Sequence, residues 1–164
     1  DFKEEIKTPS RTLRESVDSY LLLDIIAGKT SSLYEKLLGE GLINTTFDTE
    51  FFEGYGYSAH IFSGESHEYE KVREYINEEL KRVIKDGVNK EDFDRIKKKH
   101  YGNFIMGFND IDSISNSLIG SYFNDEGLFE QLSVLESVTL EDVNNRLRSA
   151  INIDNSSMSV IKQK

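Results

Sequence analysis

Three histidines, His60, His67 and His100, are the side chains of this 164-residue chain best suited to holding a metal ion or moving a proton. A zinc peptidase places two histidines on one helix face with a glutamate beside them, spelled HExxH or HxxEH. Residues one helical turn apart converge on one cation. His67-Glu68-Tyr69-Glu70-Lys71 comes within one residue of the first spelling. Lys71 stands where the second histidine belongs, and a protonated ammonium has no lone pair to give zinc. The stretch reads instead as a solvated helix start, its acids suited to the positive end of the macrodipole. His100 falls on an apolar helical stripe and reads as a hydrogen-bonded or partly buried histidine, and His60 falls on a strand and reads as a surface or sheet-packing one. No two of the three have ligand spacing. The expectation is a chain with no catalytic residues and no metal ligands of its own.

Other chemistries fare no better. There is no cysteine, which removes thiolate nucleophiles, Cys-type zinc sites and disulfides. The serines include no G-x-S-x-G elbow and no paired base. Gly54-Tyr55-Gly56 lacks a third glycine at dinucleotide spacing and falls where a hairpin is expected. Lys97-Lys98-Lys99 reads as a solvated helix face, and Glu4-Glu5 and Glu78-Glu79 as exposed terminal or helical acids. Phe47, Phe51, Phe52, Tyr55 and Tyr57 have the composition of a groove lining, but packing against helices accounts for them more cheaply. No substrate-binding residue is assigned.

The totals narrow the partners. With 30 acidic against 20 basic residues the net charge is −10, which disfavours nucleic acid and anionic membrane surfaces and favours basic peptides. Hydrophobic residues, 37% of the chain, fall in periodic stretches, as in a packed domain rather than a disordered one. The longest apolar run, Tyr20 to Ala27, is interrupted by Asp24 and is too short for a membrane span. Asp1-Phe2-Lys3-Glu4-Glu5 has neither the basic leader nor the apolar core of a signal peptide. Absence of cysteine fits a cytoplasmic location. The abrupt opening without methionine suggests part of a longer protein.

The elements that would position any site follow from periodicity. Thr8-Pro9-Ser10 reads as a helix start. The run Leu13, Val17, Tyr20, Leu21, Ile25 with Leu22, Leu23 and Ile26 predicts a helix buried on most sides. Gly28 reads as its left-handed cap, and Thr30 or Ser31 as the cap of a second helix carrying Leu33, Tyr34, Leu37 and Leu38, stopped by Gly39 and Gly41. Leu42 to Phe52 and Tyr55 to Gly64 read as strands of an antiparallel hairpin turning at Glu53-Gly54. Tyr69, Val72, Ile76, Leu80 and Val83 make a helical stripe closed by Gly87. Asn89 caps another with Phe93, Ile96, His100 and Phe104. Helices follow at about Asp112 to Phe123, near Leu128 to Leu135, and from Thr139 with Leu140, Val143, Leu147 and Ile151; Ser157 to Lys162 reads as a closing strand. Clustered strands and consecutive helices make an α+β domain, with helices on one face of a largely antiparallel sheet. Residues 1–164 read as one domain.

The succession of phrases is specific where each phrase alone is not. Gly28 precedes Ser31-Ser32-Leu33-Tyr34, and Gly41-Leu42 precedes the hairpin. Gly87-Val88-Asn89-Lys90-Glu91-Asp92-Phe93 and Val138-Thr139-Leu140-Glu141-Asp142-Val143 follow. From about Val17 onward the chain resembles the repeated half-domain of the pitrilysin/insulinase superfamily of zinc peptidases, which includes the mitochondrial processing peptidases. The resemblance implies a processing-peptidase-like C-terminal half without metal, belonging to a longer two-domain subunit that closes like a clamshell around unfolded peptide. It implies zinc in the parent protein or its partner, held by an HxxEH helix of the first half. It implies an N-terminal half-domain and a second family subunit, in a homodimer or heterodimer, as partners. Many relatives place an Arg and a following Tyr near the zinc; the corresponding positions here are Leu38 and Asn44, so that role does not carry over. Departure from the pair suits either a zinc-bearing subunit whose partner supplies it or a scaffold without proteolysis.

Overall fold

A computed structural model describes residues 13–54, 57–123, 127 and 129–162. Seven helices and a two-stranded hairpin make up that region: α1 (Leu13–Ala27), α2 (Ser32–Gly39), β1 (Asp48–Gly54), β2 (Tyr57–Ser63), α3 (Tyr69–Asp86), α4 (Lys90–Gly107), α5 (Ile111–Phe123), α6 (Glu130–Ser137) and α7 (Leu140–Ala150). A short 3-10 turn, Ile153–Asn155, follows α7. No described helix is long and apolar enough to cross a membrane. The class is α+β, largely helical, as the clustering of strands predicts.

α1 is the axis of the fold because apolar residues occupy nearly all its sides. Leu21, Leu22 and Ile26 are fully buried, and the helix touches α2, α3, α4, α6, α7 and β1. Val83, Ile96, Val143 and Leu147 complete one continuous core from α3, α4 and α7. Local caps end the helices where the sequence places them. Ser31 accepts from the Tyr34 amide and Asn89 from the Asp92 amide. α2 closes with the Leu42 amide on the Leu37 carbonyl around Gly41, whose φ of 68° a side chain would resist.

Thr139 and Asp142 form a reciprocal capping box at α7. The Asp142 carboxylate accepts from the Thr139 amide at 2.8 Å and also from Arg14 of α1 at 3.0 Å, so the cap doubles as an inter-helix tie. Replacing Thr139 by Ala is expected to lower unfolding free energy by about 1 kcal/mol, read as a shifted urea midpoint at constant slope.

Four local expectations are corrected. Gly28 is not left-handed; the positive-φ glycines among the described residues are Gly41 and Gly87. A Cβ on Gly28 would stand 1.8 Å from the Asp24 carboxylate, so close approach, not backbone handedness, demands glycine there. Strand β1 begins at Asp48 rather than Leu42, because Leu42, Ile43 and Phe47 bury into the core from a loop. Glu53 and Gly54 do not turn but pair with Ser58 and Tyr57. Ser157 to Lys162 forms no strand within the described residues, having no ladder partner. The helix-start signal at Thr8-Pro9-Ser10 lies outside the described residues, as does Tyr55.

Candidate functional site

The hairpin is the element with one side given to the core and one left open. Register pairs Phe51 with His60 and Phe52 with Ala59, so side chains alternate between two faces. One face is pinned to α1: Phe51 is buried, its ring stands edge-on to Tyr20 at 5.5 Å, and Ser16 donates to Glu53 at 2.7 Å. His60 packs on Phe51 at 5.0 Å between ring centres, the sheet-packing role its strand position predicts. The other face holds Asp48, Glu50, Phe52, Tyr57, Ala59 and Ile61. Phe52 and Tyr57 meet ring to ring at 5.7 Å yet remain about half exposed, at 47% and 55%. Aromatic and acidic side chains thus stand together in water, and among the described residues Phe52 and Tyr57 remain uncovered by the core. Core packing explains Phe47 and Phe51 but not Phe52 and Tyr57.

The charged residues singled out by motif serve the framework. His100 Nε2 lies 2.9 Å from the Asp24 carboxylate, which also accepts from Lys99 at 2.8 Å. Burial works to raise the Asp24 pKa, but the hydrogen bonds from His100 and Lys99 outweigh it and hold the acid below its ordinary value. This carboxylate is therefore a charged knot between α1 and α4. Lys97 donates to the Glu136 and Val138 carbonyls at 2.8 and 2.7 Å, closing the C-terminus of α6. The lysine triplet is thus not simply a solvated face, since Lys97 and Lys99 are both engaged. Lys71 pairs with Glu40 at 3.3 Å, and Tyr75 donates to the same carboxylate at 3.0 Å, tying α3 to α2.

The three histidines stand on separate parts of the fold. His67 precedes α3 in an exposed loop, His60 is on β2 and His100 is engaged by Asp24. Among the described residues no three His, Asp or Glu side chains converge as a metal site. Leu38 is exposed, and Asn44 donates to Glu65 at 2.8 Å.

Two groups escape the motif search. One is the polar seam between α1 and α7, where Arg146 reaches Ser19 at 2.9 Å and Glu15 at 3.3 Å, with Asp18 buried on α1. The other is α5, which has no buried residue. Neither has a local sequence signature, since each depends on which way a helix is turned.

Comparison with known proteins places this geometry. Residues 6–99 match the family model described as the peptidase M16 inactive domain. The uncharacterized zinc protease YmfH of Bacillus subtilis is 32% identical over 152 residues, covering 93% of this chain and 35% of that protein. A crystal structure described as an M16-like peptidase, from Alicyclobacillus acidocaldarius, superposes with a TM-score of 0.84 at 25% identity. It covers 90% of this chain and 36% of the other. A protease from Helicobacter pylori shares the fold, with a TM-score of 0.68 at 15% identity, over 87% of this chain and 34% of that one. The chain thus spans about a third of the length of these relatives. By the family match and the architecture together, it belongs to the peptidase M16 inactive-domain family, within the pitrilysin/insulinase superfamily that its motifs resemble.

Proposed function

We propose that this chain is the substrate-enclosing, non-catalytic half of a zinc-dependent endopeptidase. Residues 1–164 form one domain, the C-terminal half of a longer two-domain subunit. The observation that carries the reading is the open face of β1 and β2, with Phe52, Tyr57 and Ile61 beside Asp48 and Glu50 on an inactive peptidase-family domain. Such a face offers apolar contact to any unfolded segment, and the hairpin edge offers backbone groups for strand addition without reading side chains. Its acids favour basic segments. The zinc and the attacking water belong to an HxxEH helix in the preceding half-domain, and a second family subunit closes the chamber. The cysteine-free composition supports a cytoplasmic setting.

The test compares hydrolysis of an unfolded basic peptide by the chain alone, by the longer polypeptide that contains it, and by that polypeptide with its partner subunit. The chain alone is expected to hydrolyse nothing and to carry no stoichiometric zinc by metal analysis. The larger assemblies are expected to cleave in a chelator-sensitive manner. Chelator-sensitive cleavage by the chain alone overturns the proposal. A second reading, an assembly module with no proteolysis, is favoured by Leu38 and Asn44 in place of the Arg and Tyr of many relatives. Inactivity of every combination, with no HxxEH in the roughly 200 residues upstream that one more family-sized domain would occupy, selects it.

A further inference from the structure

We propose that the open face of β1 and β2 recognises a two-point pattern in an extended peptide: an apolar side chain seated on Phe52 and Tyr57, and a lysine or arginine two or four residues away on Glu50 or Asp48. The proposal rests on the reading of that face as a substrate wall and names what the wall selects. Register fixes the order of its residues. Gly54 stands opposite Tyr57, Phe52 opposite Ala59, Glu50 opposite Ile61 and Asp48 opposite Ser63. The rings, in contact at 5.7 Å, hold the end near Gly54, and the carboxylates hold the other end. Same-face residues of a strand follow one another at about 7 Å, which puts Phe52 about 7 Å from Glu50 and about 14 Å from Asp48 along β1. An extended peptide lying along the hairpin repeats its own side chains at that interval. A basic residue two positions from the apolar one therefore meets Glu50, and one four positions away meets Asp48. An odd spacing turns it to the opposite side. Backbone pairing at a sheet edge is blind to side chains; the face is not.

Charge selects the occupant. From Leu37 to Glu70 the sequence carries acids, Asp48 and Glu50 among them, and no lysine or arginine. Elsewhere the acids are tied into the framework: Asp24 to Lys99, Asp142 to Arg14 and Glu40 to Lys71. On the open face they are not. Glu50 is exposed, with no hydrogen-bond or ion-pair partner among the described residues, and Asp48 is exposed with one oxygen accepting from the Thr49 amide at 2.8 Å. An acidic segment is repelled from that end, a neutral one gains nothing there, and a basic one meets carboxylates free to receive it. A permanent seam with the rest of a longer polypeptide is a poor match for the same residues. The cores of such seams are depleted of charge, because a carboxylate buried without a partner is costly. A face that stays wet between encounters carries no such cost.

An NMR titration of the isotope-labelled full chain tests it, with Ser/Thr peptides that carry one Phe and one Lys at a spacing of two, three or four. Amide shifts are expected on β1 and β2, with binding about threefold tighter at the even spacings than at the odd one, a difference that about 0.5 M salt removes. Glu50→Lys is expected to invert the preference, so that the peptide with Glu in place of Lys binds better. Phe52→Ser is expected to weaken every peptide about fivefold without changing their order. Both positions are exposed, so the thermal midpoints should match the parent chain. In the longer polypeptide, a thiol introduced by Ala59→Cys, at an exposed position of the same face, is expected to react with a maleimide and to be shielded by the Phe-Lys peptide. The proposal is overturned by a hairpin that shows no shifts at about 1 mM peptide or by equal affinity at even and odd spacings. A Glu50→Lys chain that still prefers lysine also overturns it, as does a thiol already shielded before peptide is added, which would mean that the rest of the subunit covers the face. Neither measurement involves hydrolysis. A face that follows the pattern in an assembly that cuts nothing keeps this proposal and removes the peptidase reading, and a blind face in a cutting assembly does the reverse.

Discussion

Replacing Arg146 by Ala is expected to destabilise the fold by about 2–4 kcal/mol, whereas Arg146→Met is expected to cost less than about 1 kcal/mol. Arg146 lies on α7 with its side chain only 8% exposed, its stem laid along α1. Nε donates to Ser19 at 2.9 Å and Nη1 to Glu15 at 3.3 Å, while Nη2 is buried with no partner among the described residues. Two effects therefore oppose each other. The stem fills the seam between the two helices, and its removal opens a cavity that α1, packed on six neighbours, cannot collapse. The charge is a cost, because a guanidinium is desolvated for one long ion pair with Glu15, a residue 44% exposed and well hydrated on its own. Ser19 keeps a hydrogen bond to the Glu15 carbonyl when the arginine leaves, so the hydroxyl is not orphaned. Methionine keeps most of the stem and discards the charge; alanine discards both. Urea unfolding at neutral pH separates the two contributions. Equal losses for alanine and methionine would mean that the ion pair, and not the packing of the stem, holds the seam.

The same seam shows what a linear reading can and cannot reach. Ser31, Asn89 and Thr139 were legible because a cap bonds a side chain to a backbone amide three residues on, an interaction contained within the local sequence. The hairpin is legible because alternating aromatic and β-branched residues imply two faces, although Glu53 and Gly54 pair within the ladder instead of turning. A glycine after a helix usually marks a left-handed cap, which is the expectation at Gly28. Its actual reason is a carboxylate held against it by Lys99 and His100, residues of a helix far along the chain. Lys97 carries no mark that distinguishes it from Lys98, and only the position of α6 gives it carbonyls to close. Ser157 to Lys162 has the alternation of a strand, but alternation describes a face, and a ladder needs a neighbour. The site divides in the same way. Absence of a zinc-binding spelling could be read directly from the histidines. Which aromatics remain in water could not, because Phe51 and Phe52 differ only in parity and the register decides between them.

Asp18 gives the fold an acid-side stability that a single substitution should abolish. The residue is 5% exposed on α1, and its Oδ1 has no hydrogen-bond partner among the described residues. Its pKa is pushed up to about 6, first by burial and then by the neighbouring carboxylate of Asp142, with Glu15 adding to the rise and Arg14 opposing it. A folded pKa above the unfolded value means that the folded chain holds this proton more tightly. Its contribution is therefore fully present below about pH 4 and is lost as pH rises through about 6. At about 1.4 kcal/mol per pH unit the loss has a ceiling near 3 kcal/mol, and partial hydration brings it to roughly 1–3. Asp24, Asp92 and Asp142 act in the other direction. Their pKa values are lowered, so their contributions are present at neutral pH and fall away as they are protonated below about pH 4. The two trends place the parent chain's greatest stability on the mildly acid side of neutrality. Asp18→Asn is expected to raise unfolding free energy at pH 7 by roughly 1–3 kcal/mol, to raise it by only about a third as much at pH 4.5, and so to flatten the slope between them. Urea midpoints across that range measure all three. An equal gain at both pH values would mean that the amide improves packing or relieves net charge rather than removing a buried ionisation. A loss at pH 7 would mean that the carboxylate is needed in its charged form, beside Arg14.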